Sequence, residues 1–429
     1  MSEIPTRYRA AEARSARLGR PLRLLAGIRE VDEHLMEQLA HGFMRGDEPG
    51  AALARAIRAE PGDPARVSMA QLRTALADGI ESVPDAPLAL RSFFASVEAT
   101  PEWVDHALVD EGARVVGRLG RNAADVLLQL SLIGGYRFGG PPDLLAATGG
   151  LVGETALRRL GETQQWTIAV ARPGALRPGG EGVALTLHVR AMHALVNETF
   201  LDRTRRDRWD VDRWGLPINQ SDQAATLGLF SGVLLLGCRA LGVRVTRADS
   251  RAVMHLWRYV GWLLGIEDRW LVETEREQHR LNYHVLLAQD GQTQAGAELA
   301  QAIVAAQDTL WVRPPVAVRR RYARERLLSM LTTLLGRRSM RELGLPVRPP
   351  WAVPSVVAQN VVRYWVLGHT PWGRRRLDAW GARVRRQVLA RHFGPAEGRV
   401  GGLGVEGRGS AGAHEVHDGE GASEGVVGV

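Results

Sequence analysis

Apolar residues recur three or four positions apart in almost every long segment of this chain, a spacing that restricts it to packed helices. "IREVDEHLMEQLAHGFM" and "VSMAQLRTALADGIESV" carry the pattern on either side of the breaker "EPGDPA". "ALVDEGARVVGRLGRNAADVLLQLSLIGG" carries it until the paired glycines, and "DLLAATGGLVGETALRRLGETQQWTIAVA" until the loop "RPGALRPGGEG". "VALTLHV" alternates as a strand would, but its continuation "RAMHALVNETF" keeps helical spacing and makes the whole segment a helix. "WGLPINQSDQAATLGLFSGVLLLGCRALG" reads as a loop, a cap at Asn219 or Ser221, and one buried helix closed by Gly242. Thr246 with Asp249 forms a capping box for the next helix.

The expected organisation is a helical N-terminal region over 1–100, a helical core over 101–290, arginine-rich helices packed on it over 291–397, and a tail over 398–429. Glycine supplies 11 of the 32 tail residues, a composition expected to be disordered. The apolar run from Ala224 to Cys238 is too short to span a bilayer, and the N-terminus lacks the continuous apolar core of a secretory signal. A cytoplasmic protein without a transmembrane segment is the expectation.

Composition excludes several chemistries. All 55 basic residues are arginine, so a pyridoxal Schiff base and a lysine-bearing phosphate loop are impossible. The single Cys238 rules out an intrachain disulfide, a CxxC pair and a cysteine-rich zinc site. It reads as a small buried hydrophobe, since the residues before it do not match the spacing of a thiolate haem ligand. The net charge of +8 is spread among acids without a recognition motif, so nucleic acid is not an expected partner.

The histidine segment holds the sharpest candidate. Leu185, Val189, Met192 and Val196 form a helical apolar stripe, and Arg190 and His193 lie on it. Both polar groups carry donors that are costly to bury unpaired. His193 is either a core histidine bonded to a backbone carbonyl or a single axial ligand to a haem, with Arg190 one turn away to meet a propionate. There is no HExxH, no pair of Glu-x-x-His elements, and His279 and His284 are five apart, so a multi-histidine metal centre is not expected. The absence of CxxCH makes any haem noncovalent. In "VGETALRRLGETQQW", Val152, Ala156, Arg159, Thr163 and Trp166 share one face, which turns Arg159 and Thr163 inward with Glu162 beside them and leaves Gln164 and Gln165 outside. That polar face suits one wall of a cofactor pocket or a structural network between two helices.

"RAMHALVNE", "WGLPINQSDQAATL" and "HLWRYVGWLLGI", in this order, resemble the signature segments of the rubber oxygenase (latex clearing protein) family and its MpaB-type relatives. The resemblance runs from about Pro101 to about His284. It implies an all-α, globin-like helical core around a noncovalent haem b, with additional N- and C-terminal helices. It makes His193 the iron ligand in Arg190-x-x-His193, and places Arg159-x-x-Glu162-Thr163 and Asp143 on the distal side as catalytic residues. Three positions depart from the family: glutamate replaces lysine at 162, aspartate replaces glutamate at 143, and Asn197 replaces an arginine. The "PINQ" loop and Trp214 are expected to be structural.

The implied function is a haem-dependent oxygenase that oxidises or cleaves a small apolar, alkene-bearing, isoprenoid-like substrate with dioxygen. Arg159 and Thr163 would polarise the oxygen, and Asp143 or Glu162 would handle protons. A non-catalytic haem-binding or sensing protein is the alternative, its arginine-rich C-terminal helices meeting a partner or the membrane surface.

Overall fold

The computed structural model describes residues 4–149, 154–202 and 208–393, apart from the side chains of 154–159 and 391–393. The tail over 398–429 lies outside the described residues. Within them every regular element is helical. Those that position the site are α1 (Glu33–Gly42), α2 (Glu48–Arg58), α3 (His106–Leu119), α4 (Glu154–Val170), α5 (Glu181–Leu201), α6 (Gln220–Phe230), α7 (Gly232–Ala240) and α8 (Arg247–Leu263). α9 (Val316–Glu342), α10 (Ala352–Asn360) and α11 (Pro371–Phe393) follow.

Local chemistry explains most boundaries. Thr246 Oγ1 accepts the Asp249 N–H at 3.0 Å while the Asp249 carboxylate accepts the Thr246 N–H at 2.9 Å, the expected capping box of α8. Asn219, not Ser221, caps α6 by accepting the Asp222 N–H at 2.9 Å. The buried helix expected after it is in fact two: Ser231 leaves helical geometry (φ −107°, ψ −92°) and its hydroxyl donates back to the Leu227 carbonyl at 2.8 Å. The long pattern from Ala107 is likewise interrupted. Gly120 has φ +55°, and a side chain there would overlap the Trp380 ring of α11. The chain restarts as Arg121–Val126 and widens into a π-helix at Leu127–Ile133.

One core joins the N-terminal, central and C-terminal regions. Met36, Leu39 and Phe43, Trp166, Leu227 and Trp257, and Tyr364 and Leu377 all belong to it. At its centre Trp166, Phe230 and Trp257 pack with centroids 4.9–5.9 Å apart. Cys238 is fully buried, as a small hydrophobe would be. The segment Gln220–Ala240 is long and apolar enough to cross a bilayer, but 56% of its most apolar window is buried inside the molecule, which suits a core helix pair.

Candidate functional site

α5 is enclosed on several sides, and this changes which of its faces is deepest. Leu185 is buried, but Val189, Met192 and Val196 of the expected stripe are only half-buried. The deepest positions include Thr186, Arg190, Ala191, Ala194 and Asn197. The cause is a close crossing with α2, where Gly50 lies against Ala194. Small residues at a crossing bring backbones together and bury whatever shares their face.

Arg190 is therefore only 4% exposed, and it is satisfied from within the protein. Its Nε and Nη2 donate to the two carboxylate oxygens of Asp47 at 2.6 and 2.7 Å, and Nη1 donates to Ser96 Oγ at 3.0 Å. The guanidinium also lies 5.0 Å from the Phe93 ring centroid. Arg190, expected to meet a propionate, instead has its fork taken up by Asp47.

His193 lies one turn further on, lining a cavity of about 230 Å³ with Asp47, Arg190, Asn197, Leu216, Ile218 and Gln223. Burial drives its imidazole down to about 4, against the opposing pull of the Asp47 charge and a hydrogen bond with the Gln223 side chain. At neutral pH it is uncharged, and its Nδ1 is buried without a partner. Asn197 clamps the "PINQ" loop: its Nδ2 donates to the Ile218 carbonyl and its Oδ1 accepts the Ile218 N–H, both at 2.7 Å. Gln220 donates to the Gly265 carbonyl at 2.9 Å, and Trp214 packs with Phe200 and Trp209. The loop and Trp214 hold structure, as expected.

α4 and α5 are joined by a short loop, and Trp166 Nε1 donates to Thr186 Oγ1 at 3.1 Å where they pack. That antiparallel register sets His188 across from Glu162. His188 is 3% exposed, both of its ring nitrogens lack partners, and burial lowers its pKa while the Glu162 charge opposes. Sequence reasoning missed His188, although "LHVRAMH" shows it five residues before His193. It missed Asp47 and Gln223 because nothing local connects them to α5.

The expected inward face of α4 needs correction. Gln164, placed outside by spacing, is buried together with Thr167, whereas Thr163 is exposed. The reason is again enclosure: α4 is covered by α11 as well as by α5, so its buried arc is wider than one stripe. Thr163 stands on the wall of a second cavity, of about 160 Å³, otherwise formed largely by Leu127, Leu128 and Leu132 of the π-helix, Leu145, Leu229, Phe230 and Ile303. α6 links the two cavities, giving Gln223 to the first and Thr226, three residues on, to the second.

The side chain of Arg159 lies outside the described residues. Asp143 is engaged as a cap: its carboxylate accepts the Gly140 N–H at 2.9 Å and the Thr293 hydroxyl at 3.1 Å. Among the described residues, no three His, Cys, Asp or Glu side chains converge as a metal-ion site would require.

The catalytic-domain family described as ER-bound oxygenase mpaB/B′/rubber oxygenase matches residues 118–370, more than half of the chain. The chain belongs to this family. Its MpaB/rubber oxygenase domain thus takes in α4, α5, the π-helix and most of both cavities, and reaches past the three short segments that carry the resemblance in sequence. The rubber oxygenase of Streptomyces sp. (strain K30) is 25% identical over 316 residues, covering 67% of this chain and 74% of that protein. The structure of latex clearing protein LCP in the closed state superposes with a TM-score of 0.62 at 19% identity, over 80% of this chain and 91% of that one. That likeness extends the shared helical fold well beyond the two cavities.

Proposed function

We propose that this protein is a haem b-dependent oxygenase that oxidises or cleaves an apolar, alkene-bearing substrate with dioxygen. The observation that carries the reading is His193: a half-buried, neutral imidazole on a cavity wall, with a buried and partnerless Nδ1, one helix away from an apolar cavity. A neutral imidazole is the form that ligates iron, and one axial histidine suffices to hold a haem. The cavity His193 lines also carries Glu48, Arg55 and Glu198, so the cation available to a propionate there is Arg55. Family membership and the rubber oxygenase relative support the oxygenase class and the apolar substrate.

His193 fits the haem ligand, and Gln223 would fix its ring orientation as a partner outside the ligand set. A haem held there would supply dioxygen activation. Arg190 serves a positioning role, since a cation saturated by Asp47 and Ser96 has little left for a propionate. The leucine-rich wall takes the apolar substrate, while Thr163, Gln164 and Thr167 of α4 bring polar groups to its lining. Glu162 lies near enough for its charge to act on His188, and a proton can reside on Glu162 Oε or on a ring nitrogen of His188. The capping duties of Asp143 leave Glu162 as the better acid–base candidate.

The test is an absorption spectrum with dioxygen uptake on a panel of isoprenoid polyenes. The wild-type protein shows a Soret band, which His193→Ala loses while keeping its helical content. Thr163→Val keeps haem and loses about 100- to 1000-fold in uptake, the usual cost of removing a positioned donor. Full haem loading in His193→Ala refutes the ligand assignment, and a haem-replete protein inert to the whole panel favours a sensing role.

A further inference from the structure

α10 and the π-helix that continues it, Val361–Val366, are patterned backwards. Trp351, Pro354, Ala358, Val361, Val362, Trp365 and Val366 recur three or four apart and are all exposed. Leu367 and Trp372 extend the exposed apolar surface into the start of α11. Single exposed apolar residues need no explanation, but a stripe along more than four turns of helix does. Trp365 is held in place by donating its Nε1–H to the Gly242 carbonyl at 3.2 Å, so it is presented by the fold and not left loose.

The charge around the stripe is predominantly positive, with acids only at its ends, where Glu325 pairs with Arg348 and Asp378 with Arg118. From Leu343 to Leu377 the sequence holds five arginines and neither aspartate nor glutamate. Arg374, Arg375 and Arg376 are exposed and form no ion pair among the described residues, and Arg376 sits over the Trp372 ring at 4.2 Å. Beside Trp365, Arg244 lines an open cavity of about 420 Å³ with Arg239 and Thr246, and its guanidinium is 5.8 Å from the Trp365 ring centroid. Arg239 is neutralised by Glu275, so among the described residues Arg244 is the cation of that edge without an acid.

We propose that this face is a docking surface for an anionic lipid bilayer. Tryptophan and valine enter the headgroup boundary while the arginines meet lipid phosphates, the arrangement that holds a protein on a membrane without spanning it. A second copy of this chain fits less well, because a two-fold pairing through the stripe sets the arginine cluster against its own image without an acid between them. The surface is separate from both cavities, and the proposal stands whether or not the protein binds haem.

Flotation of the full chain with vesicles of phosphatidylcholine, or of equimolar phosphatidylcholine and phosphatidylglycerol, tests this. The protein should float with the anionic vesicles at low salt, its tryptophan emission should shift to the blue, and added salt should weaken binding. Arg374→Gln/Arg375→Gln/Arg376→Gln should reduce anionic-vesicle affinity about 100-fold, given roughly fivefold per arginine near such a surface. Trp365→Ala/Trp372→Ala should abolish the blue shift, and circular dichroism should show both variants folded. Failure to float with anionic vesicles at low salt overturns the proposal, as does binding indifferent to both sets of substitutions. A wild-type dimer that Trp365→Ala/Trp372→Ala converts to monomer also overturns it, assigning the face to self-association.

Discussion

Replacing Asp47 with asparagine removes the charge that answers Arg190 and nothing else of that shape. The guanidinium is 4% exposed, and its fork meets Asp47 at 2.6 and 2.7 Å. Breaking such a pair from one side leaves a buried cation, which costs about 3–5 kcal/mol. The asparagine would still accept one N–H through its carbonyl and Ser96 keeps its bond to Nη1, so the low end, about 3 kcal/mol, is expected. Asp47→Leu with Arg190→Met removes both charges and should recover most of that loss, since apolar replacement of a buried pair is often near neutral. Urea unfolding of Asp47→Leu, Arg190→Met and the double variant gives the coupling energy, expected to be about 3 kcal/mol. The Asp47 charge also raises the proton affinity of His193, so Asp47→Asn should push the imidazole further below 4, visible in its NMR titration. A loss under about 1 kcal/mol would mean the pair behaves as an exposed one. Single losses that merely add in the double variant would show no coupling; either result refutes the reasoning.

Three further outcomes follow from the site. In the unfolded chain His193 takes a proton near pH 6.5, whereas folded His193 resists it down to about 4, so its contribution is complete above 6.5 and is lost as pH falls toward 4. At pH 5 the loss from this residue approaches about 2 kcal/mol, and urea midpoints at pH 7 and pH 5 should therefore converge in His193→Gln relative to wild type. Asn197→Leu strips both partners from the Ile218 backbone and should cost about 2–4 kcal/mol in chemical denaturation, with a negligible loss contradicting the clamp. His188→Phe replaces a buried ring without partners by an apolar one of similar shape; its thermal midpoint should hold or rise while dioxygen uptake falls about tenfold or more, and unchanged uptake would limit His188 to packing.

The helical architecture was legible because spacing and caps are local. The Thr246–Asp249 box, the Asn219 cap and the helix through His193 all depend on residues a few positions apart, and the structure shows each of them. The family resemblance was legible for the same reason, in three short ordered segments. What the sequence could not decide was which side of each helix is deepest. A single stripe describes a helix lying on one surface, but α4 and α5 are enclosed by several neighbours, which buries Gln164 and His188 and leaves Thr163 at a cavity wall. Nor could spacing pair Arg190 with Asp47, 143 positions away, or bring Gln223 to His193. Such partners are brought together by close helix crossings, and a buried charge takes whichever counter-charge the crossing delivers. Periodicity and capping wrote the helices; the crossings chose the company each polar side chain keeps.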